Sequence, residues 1–303
     1  MIRGFVDLCT VAYVVIDDLY RAHLAPLDQR PGPEAGCTDS ELITLTLVAE
    51  LVGLDTEVAF LAYVRRNHPT LFPALPERSR YNRRRRALGE ATNALRRQIQ
   101  HRVWVGLPAD ERDLCLIDSL PVPVVGFAHA TGRHRWRGHA AYGYNATKKQ
   151  TIYGFKLHLL ATHSGLILDF ALVPANITDG ALTAQLLAEQ AHLTVLGDKA
   201  YGNASLRTHL RHERAIALLA PTRANARTPT PATLVRLIAH FRQAIETLNG
   251  QLAEHFGVEH NRAKSLSGLC ARLQAKLAAH TLGRFLNQHT GQPLLALKSL
   301  ALI

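Results

Sequence analysis

Three acids stand where carboxylates could do chemistry together. Asp118 interrupts an apolar run, Leu114 to Val125 (LCLIDSLPVPVV), between Ile117 and Ser119. A carboxylate in such a run is costly to bury unless it is paired or bound to a cation. Asp198 follows a short apolar run, Leu193 to Leu196, directly after Gly197. Glu246 lies beside Ile245 in a long amphipathic segment. Magnesium takes oxygen ligands, commonly one or two carboxylates plus phosphate and water. Two such ions roughly 3.5–4 Å apart clamp the attacking and leaving oxygens of an in-line displacement at phosphorus. Their four positive charges are balanced by three carboxylates and one phosphodiester. Without metal, three such acids repel one another and one of them holds its proton more tightly. Taken singly, Asp118 also reads as a hydrogen-bonded strand acid, Asp198 as the cap of the next turn and Glu246 as a surface helix residue.

Asp198 lies 80 residues after Asp118, and Glu246 lies 48 residues after Asp198, so only a fold can bring the three together. Residues 1 to about 105 read as a helical N-terminal domain. Thr38 and Glu41 form a capping box ahead of Leu42, Leu45 and Val48. The run Val11 to Ile16, bracketed by Asp7, Asp17 and Asp18, reads as part of a buried helix and not as a signal peptide. Ser79 opens a long helix carrying Arg83, Arg84, Arg85 and Arg86. Such a helix suits phosphate contact in a helix-turn-helix-like domain; a solvated basic face is the alternative.

From 106 to 303 the pattern changes to a domain of α/β type. Strands are predicted at 114–125, 155–162 and 167–173, with Thr178 and Asp179 capping the helix that follows. A strand at 193–196, a helix from Ala204 to His212, a strand at 215–220 and helices at about 231–256 and 265–287 complete it. Asp179 is a possible fourth acid, with capping the preferred role. In the long helix, Leu234, Leu237, Ile238, Phe241, Ile245, Leu248 and Leu252 form one apolar stripe. Glu246 flanks that stripe, and Arg242 sits four residues earlier, where it can pair with it. Three strands, helix, strand, helix, strand, helix is the order of the RNase H-like fold: an antiparallel three-strand meander extended by parallel strands, with helices on both faces. That is an analogy of fold and not of function.

The chain has 303 residues and a formal charge of +11, which favours a polyanionic partner. Between Gly126 and Tyr153 the segment is polar and basic. Arg133, Arg135, Arg137, Lys148 and Lys149, with Trp136 among them, suit phosphate contact and base stacking; an ordinary basic hairpin is the alternative. Lys156 and Lys199 flank the acids and could touch a scissile phosphate. The four cysteines are far apart, which argues against a zinc framework or disulfides and for a reduced compartment. No stretch approaches the ~20 apolar residues of a membrane span. No phosphate-binding glycine loop and no nucleophile elbow occur.

The words Ile117-Asp118-Ser119, Tyr153-Gly154-Phe155-Lys156-Leu157-His158, Gly197-Asp198-Lys199-Ala200-Tyr201, Ile245-Glu246-Thr247 and His260-Asn261-Arg262, with Ser79-Arg80-Tyr81-Asn82 before them, form an ordered set. As a set it resembles the DDE transposases of bacterial insertion sequences, in particular insertion-sequence family nine-eighty-two and more distantly family four. The resemblance implies Asp118, Asp198 and Glu246 as metal-binding and catalytic residues, two Mg²⁺ ions with Mn²⁺ able to substitute, and double-stranded DNA with terminal inverted repeats as partner. It implies cleavage at transposon ends, strand transfer into target DNA, a homodimer or larger assembly on paired ends, and a cytoplasmic, nucleoid-associated protein. DNA contacts are expected from the basic residues above together with Arg242 and Arg262. Family four often carries a Tyr, Arg, Glu, Lys signature; Arg242 fits it, whereas Ala239 and Ala253 stand where Tyr and Lys would be, so no hairpin step is read from the sequence. A nuclease of the same fold without strand transfer, and an inactive DNA-binding remnant, are the alternative readings.

Overall fold

A computed structural model describes residues 2–27, 35–54, 56–126, 129–131, 135–145, 149–222, 226 and 228–301. The chain divides into two compact units. One comprises Met1–Arg102, Glu254–Val258 and Ala263–Ile303, and the other Val103–Ala253 and Glu259–Arg262.

The first unit is helical: α1 (Phe5–His23), α2 (Asp39–Leu51), α3 (Glu57–Asn67), α4 (Arg78–Ala87), most of α5 (Gly89–Val105) and the C-terminal α10 (Leu266–His289). The predicted capping box opens α2: Thr38 N donates to Glu41 Oε2 (2.6 Å) and Glu41 N donates to Thr38 Oγ1 (3.2 Å). The single Arg-rich helix expected from Ser79 is instead two, α4 and α5, broken between Ala87 and Gly89. A Cβ at Gly89 would lie 2.7 Å from Gln274 Oε1 and 3.2 Å from the Ala271 side chain. A side chain there would have to displace the Gln274 amide and press on Ala271 of α10. Most of the length of α10 is buried on every side, so it belongs to the interior of this helical unit. The first change of unit along the chain falls after Arg102, and the end of the chain, from Ala263, folds back into the first unit.

The second unit carries α6 (Ala109–Asp113), then β1 (Leu114–Val125), β2 (Ala141–Asn145), β3 (Gln150–Thr162) and β4 (Ile167–Pro174). After a 3-10 turn at Asp179–Leu182 come α7 (Thr183–Leu186), β5 (Thr194–Leu196), α8 (Ala204–Arg214), β6 (Ala217–Leu219) and α9 (Ala232–Glu254). The described strands form one mixed sheet ordered β2-β3-β1-β5-β6, with β4 also paired to β3. Strands β1, β3 and β4 are antiparallel neighbours, and β1, β5 and β6 run parallel. β2 was not foreseen. It lies within the basic segment and pairs antiparallel with the first residues of β3, Tyr144 opposite Thr151.

β1 is the hinge of the arrangement, because it pairs with β3 on one edge and β5 on the other. Asp118 lies opposite Leu159, and Ser119 opposite His158. Successive strand residues point to opposite faces, so Asp118 and Ser119 serve different sides of the sheet. The apolar stripe of α9 is shorter than its sequence suggests. Ile238, Ile245, Leu248 and Leu252 are buried, while Leu237 is exposed and Leu234 only half-buried.

Candidate active site

On the α9 side of β1, the Asp118 carboxyl is pushed up to about 6. Burial is the main cause; a backbone hydrogen bond at Ser119 and the Arg242 charge oppose it, while Asp198 and Asp179 add to it. Asp118 Oδ2 accepts a hydrogen bond from Asn249 Nδ2 of α9 at 3.1 Å. The other amide atom, Asn249 Oδ1, is buried with no hydrogen-bond partner among the described residues.

Asp198 follows β5 through Gly197. A Cβ at Gly197 would sit 2.9 Å from Ile117 Cγ2 and 3.0 Å from the Tyr201 ring. The missing side chain lets the end of β5 lie against β1, which carries Asp198 into electrostatic reach of Asp118. Asp198 Oδ1 accepts from Ala200 N at 2.8 Å, so Asp198 also caps the turn that follows. Capping and chemistry are compatible here, since a carboxylate has several acceptor sites.

Glu246 is the outlying acid. Its side chain is 63% exposed, with Oε1 3.9 Å from Arg242 Nη2. The pairing expected at i,i+4 is therefore present. Glu246 precedes Asn249 by three residues, roughly 4.5 Å along the helix axis, and both lie on neighbouring faces of α9. Among the described residues no three His, Cys, Asp or Glu side chains are close enough together to hold a metal ion. The donors around Asp118 nonetheless fit a hard divalent cation in kind: two carboxylates and an amide oxygen that lacks a partner.

The other side of β1 holds a second polar cluster that the sequence reading assigned differently. Asp179 is not engaged as a helix cap. Thr178 takes the N-cap position without a side-chain cap bond, and the helix begins as a 3-10 turn. Asp179 Oδ1 instead accepts from Lys156 Nζ (2.8 Å) and Ser119 Oγ (3.3 Å), and Lys156 Nζ also donates to Ile177 O. His158 is fully buried, and burial pushes it down to about 4. Its Nδ1 lies 3.4 Å from the Tyr201 hydroxyl. Burial raises the Tyr201 phenol, helped by Asp179, Asp118 and Asp198.

The basic residues separate into two groups. Arg84 donates to Cys37 O and pairs with Asp39 at 2.6 Å. Arg85 is buried and faces Glu57 at 3.5 Å. Lys156 is tied to Asp179 and Arg242 to Glu246. Arg83, Arg86, Arg135, Arg137, Lys149, Lys199 and Arg262 are exposed, and Arg133 and Lys148 lie outside the described residues. Trp136 is not an exposed stacking platform. It is buried, with its ring 5.9 Å from that of Phe155. Among the described residues of this segment the exposed aromatics are Tyr142 and Tyr144 of β2. Their alternation was visible in the sequence once a strand is assumed. Asn249 was missed; its only signal was a polar residue three positions after Glu246.

A family model described as a transposase DDE domain matches residues 109–266, more than half of the chain and every strand of the sheet. The chain belongs to that family. No curated protein and no solved structure matches it. Among the described residues no helix is long and apolar enough to cross a membrane.

Proposed function

We propose that this chain is a transposase that cleaves DNA at terminal inverted repeats and joins the freed 3′ ends to target DNA, with Asp118, Asp198 and Glu246 as its acidic residues. The observation that carries this is the Asp118 carboxyl on β1, raised to about 6 by burial with Asp198 and Asp179 adding to it, and hydrogen-bonded to Asn249 of α9. A strand order with β4, β3, β1, β5 and β6 side by side supports an RNase H-like reading of the fold. When bound, two Mg²⁺ or Mn²⁺ ions would supply charge neutralisation at the scissile phosphate and an activated water.

Asp118 on β1 and Asp198 after β5 lie within electrostatic reach of each other. Glu246 swings from its exposed rotamer to join them, leaving Arg242 to meet phosphate. The exposed basic residues Arg83, Arg86, Arg135, Arg137, Lys149, Lys199 and Arg262 supply the charge that binds the DNA backbone. Tyr142 and Tyr144 offer planar faces to unpaired bases. The helical N-terminal part, 1–105, engages the terminal repeats, and two or more copies act on paired ends. Incubating the protein with Mg²⁺ and DNA carrying the element's ends tests this reading. Joined products support a transposase; cut DNA without joining points to a nuclease of the same architecture.

A further inference from the structure

The proposed chemistry uses three acids, but the side chain of α9 that touches Asp118 is an amide. Asn249 Nδ2 lies 3.1 Å from Asp118 Oδ2. Glu246, three residues before it, is 63% exposed and paired with Arg242. Two features of Asn249 need a reason. A neutral amide donor selects one oxygen of a carboxylate and fixes its orientation, leaving the other oxygen for another partner. A buried amide oxygen without a partner costs free energy unless something fills that role, and Asn249 Oδ1 is such an atom. A hydrogen-bonded carboxylate and an open amide oxygen side by side form a small all-oxygen cradle of the kind hard divalent cations choose.

We infer that Asn249 is a positioning residue for Asp118 and that its Oδ1 joins Asp118 in binding the divalent cation. This rests on the metal-dependent reading of Asp118 given above and adds to it a ligand outside the acidic set. The arrangement explains why one helix carries both residues. Glu246 and Asn249 share one side of α9 at i,i+3 spacing, so a single rigid helix sets a mobile acid and a fixed amide beside the same strand. It also assigns different duties to them: Asn249 holds Asp118 ready before any ligand arrives, and Glu246 closes afterwards. Partners that orient a metal-binding side chain typically change affinity 10–100-fold when removed.

The test is Mn²⁺ binding by titration calorimetry on the full chain without DNA, read beside the thermal midpoint. Asn249→Ala is expected to weaken Mn²⁺ binding at least tenfold with an unchanged midpoint, and Asn249→Asp, which keeps an oxygen at the same place but lacks the Nδ2 donor to Asp118, to recover part of that loss and bind more tightly than Asn249→Ala. Asp118→Asn is measured in parallel and is expected to abolish binding. If Asn249→Ala binds Mn²⁺ within twofold of the parent while Asp118→Asn does not bind, the assignment of Asn249 is overturned and the role of Asp118 stands. If Asp118→Asn binds as the parent does, both fall. A lowered midpoint in Asn249→Ala together with failure of Asn249→Asp to recover affinity also overturns the inference, because it marks a structural role alone.

Discussion

Lys156 Nζ and Asp179 Oδ1 are 2.8 Å apart, on the side of β1 away from Asn249, with each side chain about one-fifth exposed, 21% and 22%. Ser119 Oγ adds a second donor to the same carboxylate oxygen. The pair anchors the turn after β4 to the middle of the sheet, directly behind Asp118. We expect Lys156→Met and Asp179→Asn each to destabilise the fold. A double-mutant cycle in urea should return a coupling of about 1–2 kcal/mol, as for contacting residues in one network. A coupling near zero would mean the pair is only a surface contact.

The four consecutive arginines of α4 should divide by function. Arg85 faces Glu57, which also receives Asn82 and Arg272. Arg85→Ala should therefore lower stability by about 2 kcal/mol, below the cost of stripping a buried pair completely. Arg83→Ala and Arg86→Ala should leave the thermal midpoint unchanged. They should weaken DNA binding and each reduce the slope of log affinity against log salt by about 1. Binding isotherms at several salt concentrations, beside thermal melts, check both halves.

An acid-labile element sits in the helical unit. His280 of α10 is fully buried, and among the described residues neither of its ring nitrogens has a hydrogen-bond partner. Burial, then the charges of Arg284 and His255, push it down to about 3 from an ordinary value of 6.5. The unfolded chain thus binds a proton that the folded chain refuses between those values. Stability is fully present above pH 6.5 and falls as pH drops through that window. At pH 5 the loss from this residue is about 2 kcal/mol. His280→Leu should flatten the pH dependence between 7 and 5 in urea unfolding. An unchanged pH profile would remove His280 as the cause.

The sequence made some of this legible for physical reasons. Asp118 and Asp198 are marked because each breaks or ends an apolar strand, a local signal that survives without tertiary knowledge. The capping box at Thr38 and Glu41 is equally local. β2 was hidden because its alternation points outward: the two tyrosines are exposed with a glycine between them, so no apolar face marks a buried strand. The burial of Trp136 against Phe155 and the pairing of Arg84 with Asp39 depend on contacts between distant segments. Asp179 was misread for the same reason: a Thr-Asp pair before a helix predicts a cap, and only β3 supplies the lysine that claims it. The first turns of α9 show the opposite error, since periodicity extended the apolar stripe to Leu237, which is 48% exposed.

If the carboxylates on β1, after β5 and on α9 perform the DNA chemistry, strand cleavage of end-bearing DNA in Mg²⁺ depends on each of them, and is measured with Asp118→Asn, Asp198→Asn and Glu246→Gln. Each variant is expected to lose cleavage by at least a thousandfold while binding the same DNA within about threefold of the parent, an acid-specific loss that oxygen-ligand metal catalysis requires. Cleavage retained in any two of the three variants would contradict the account.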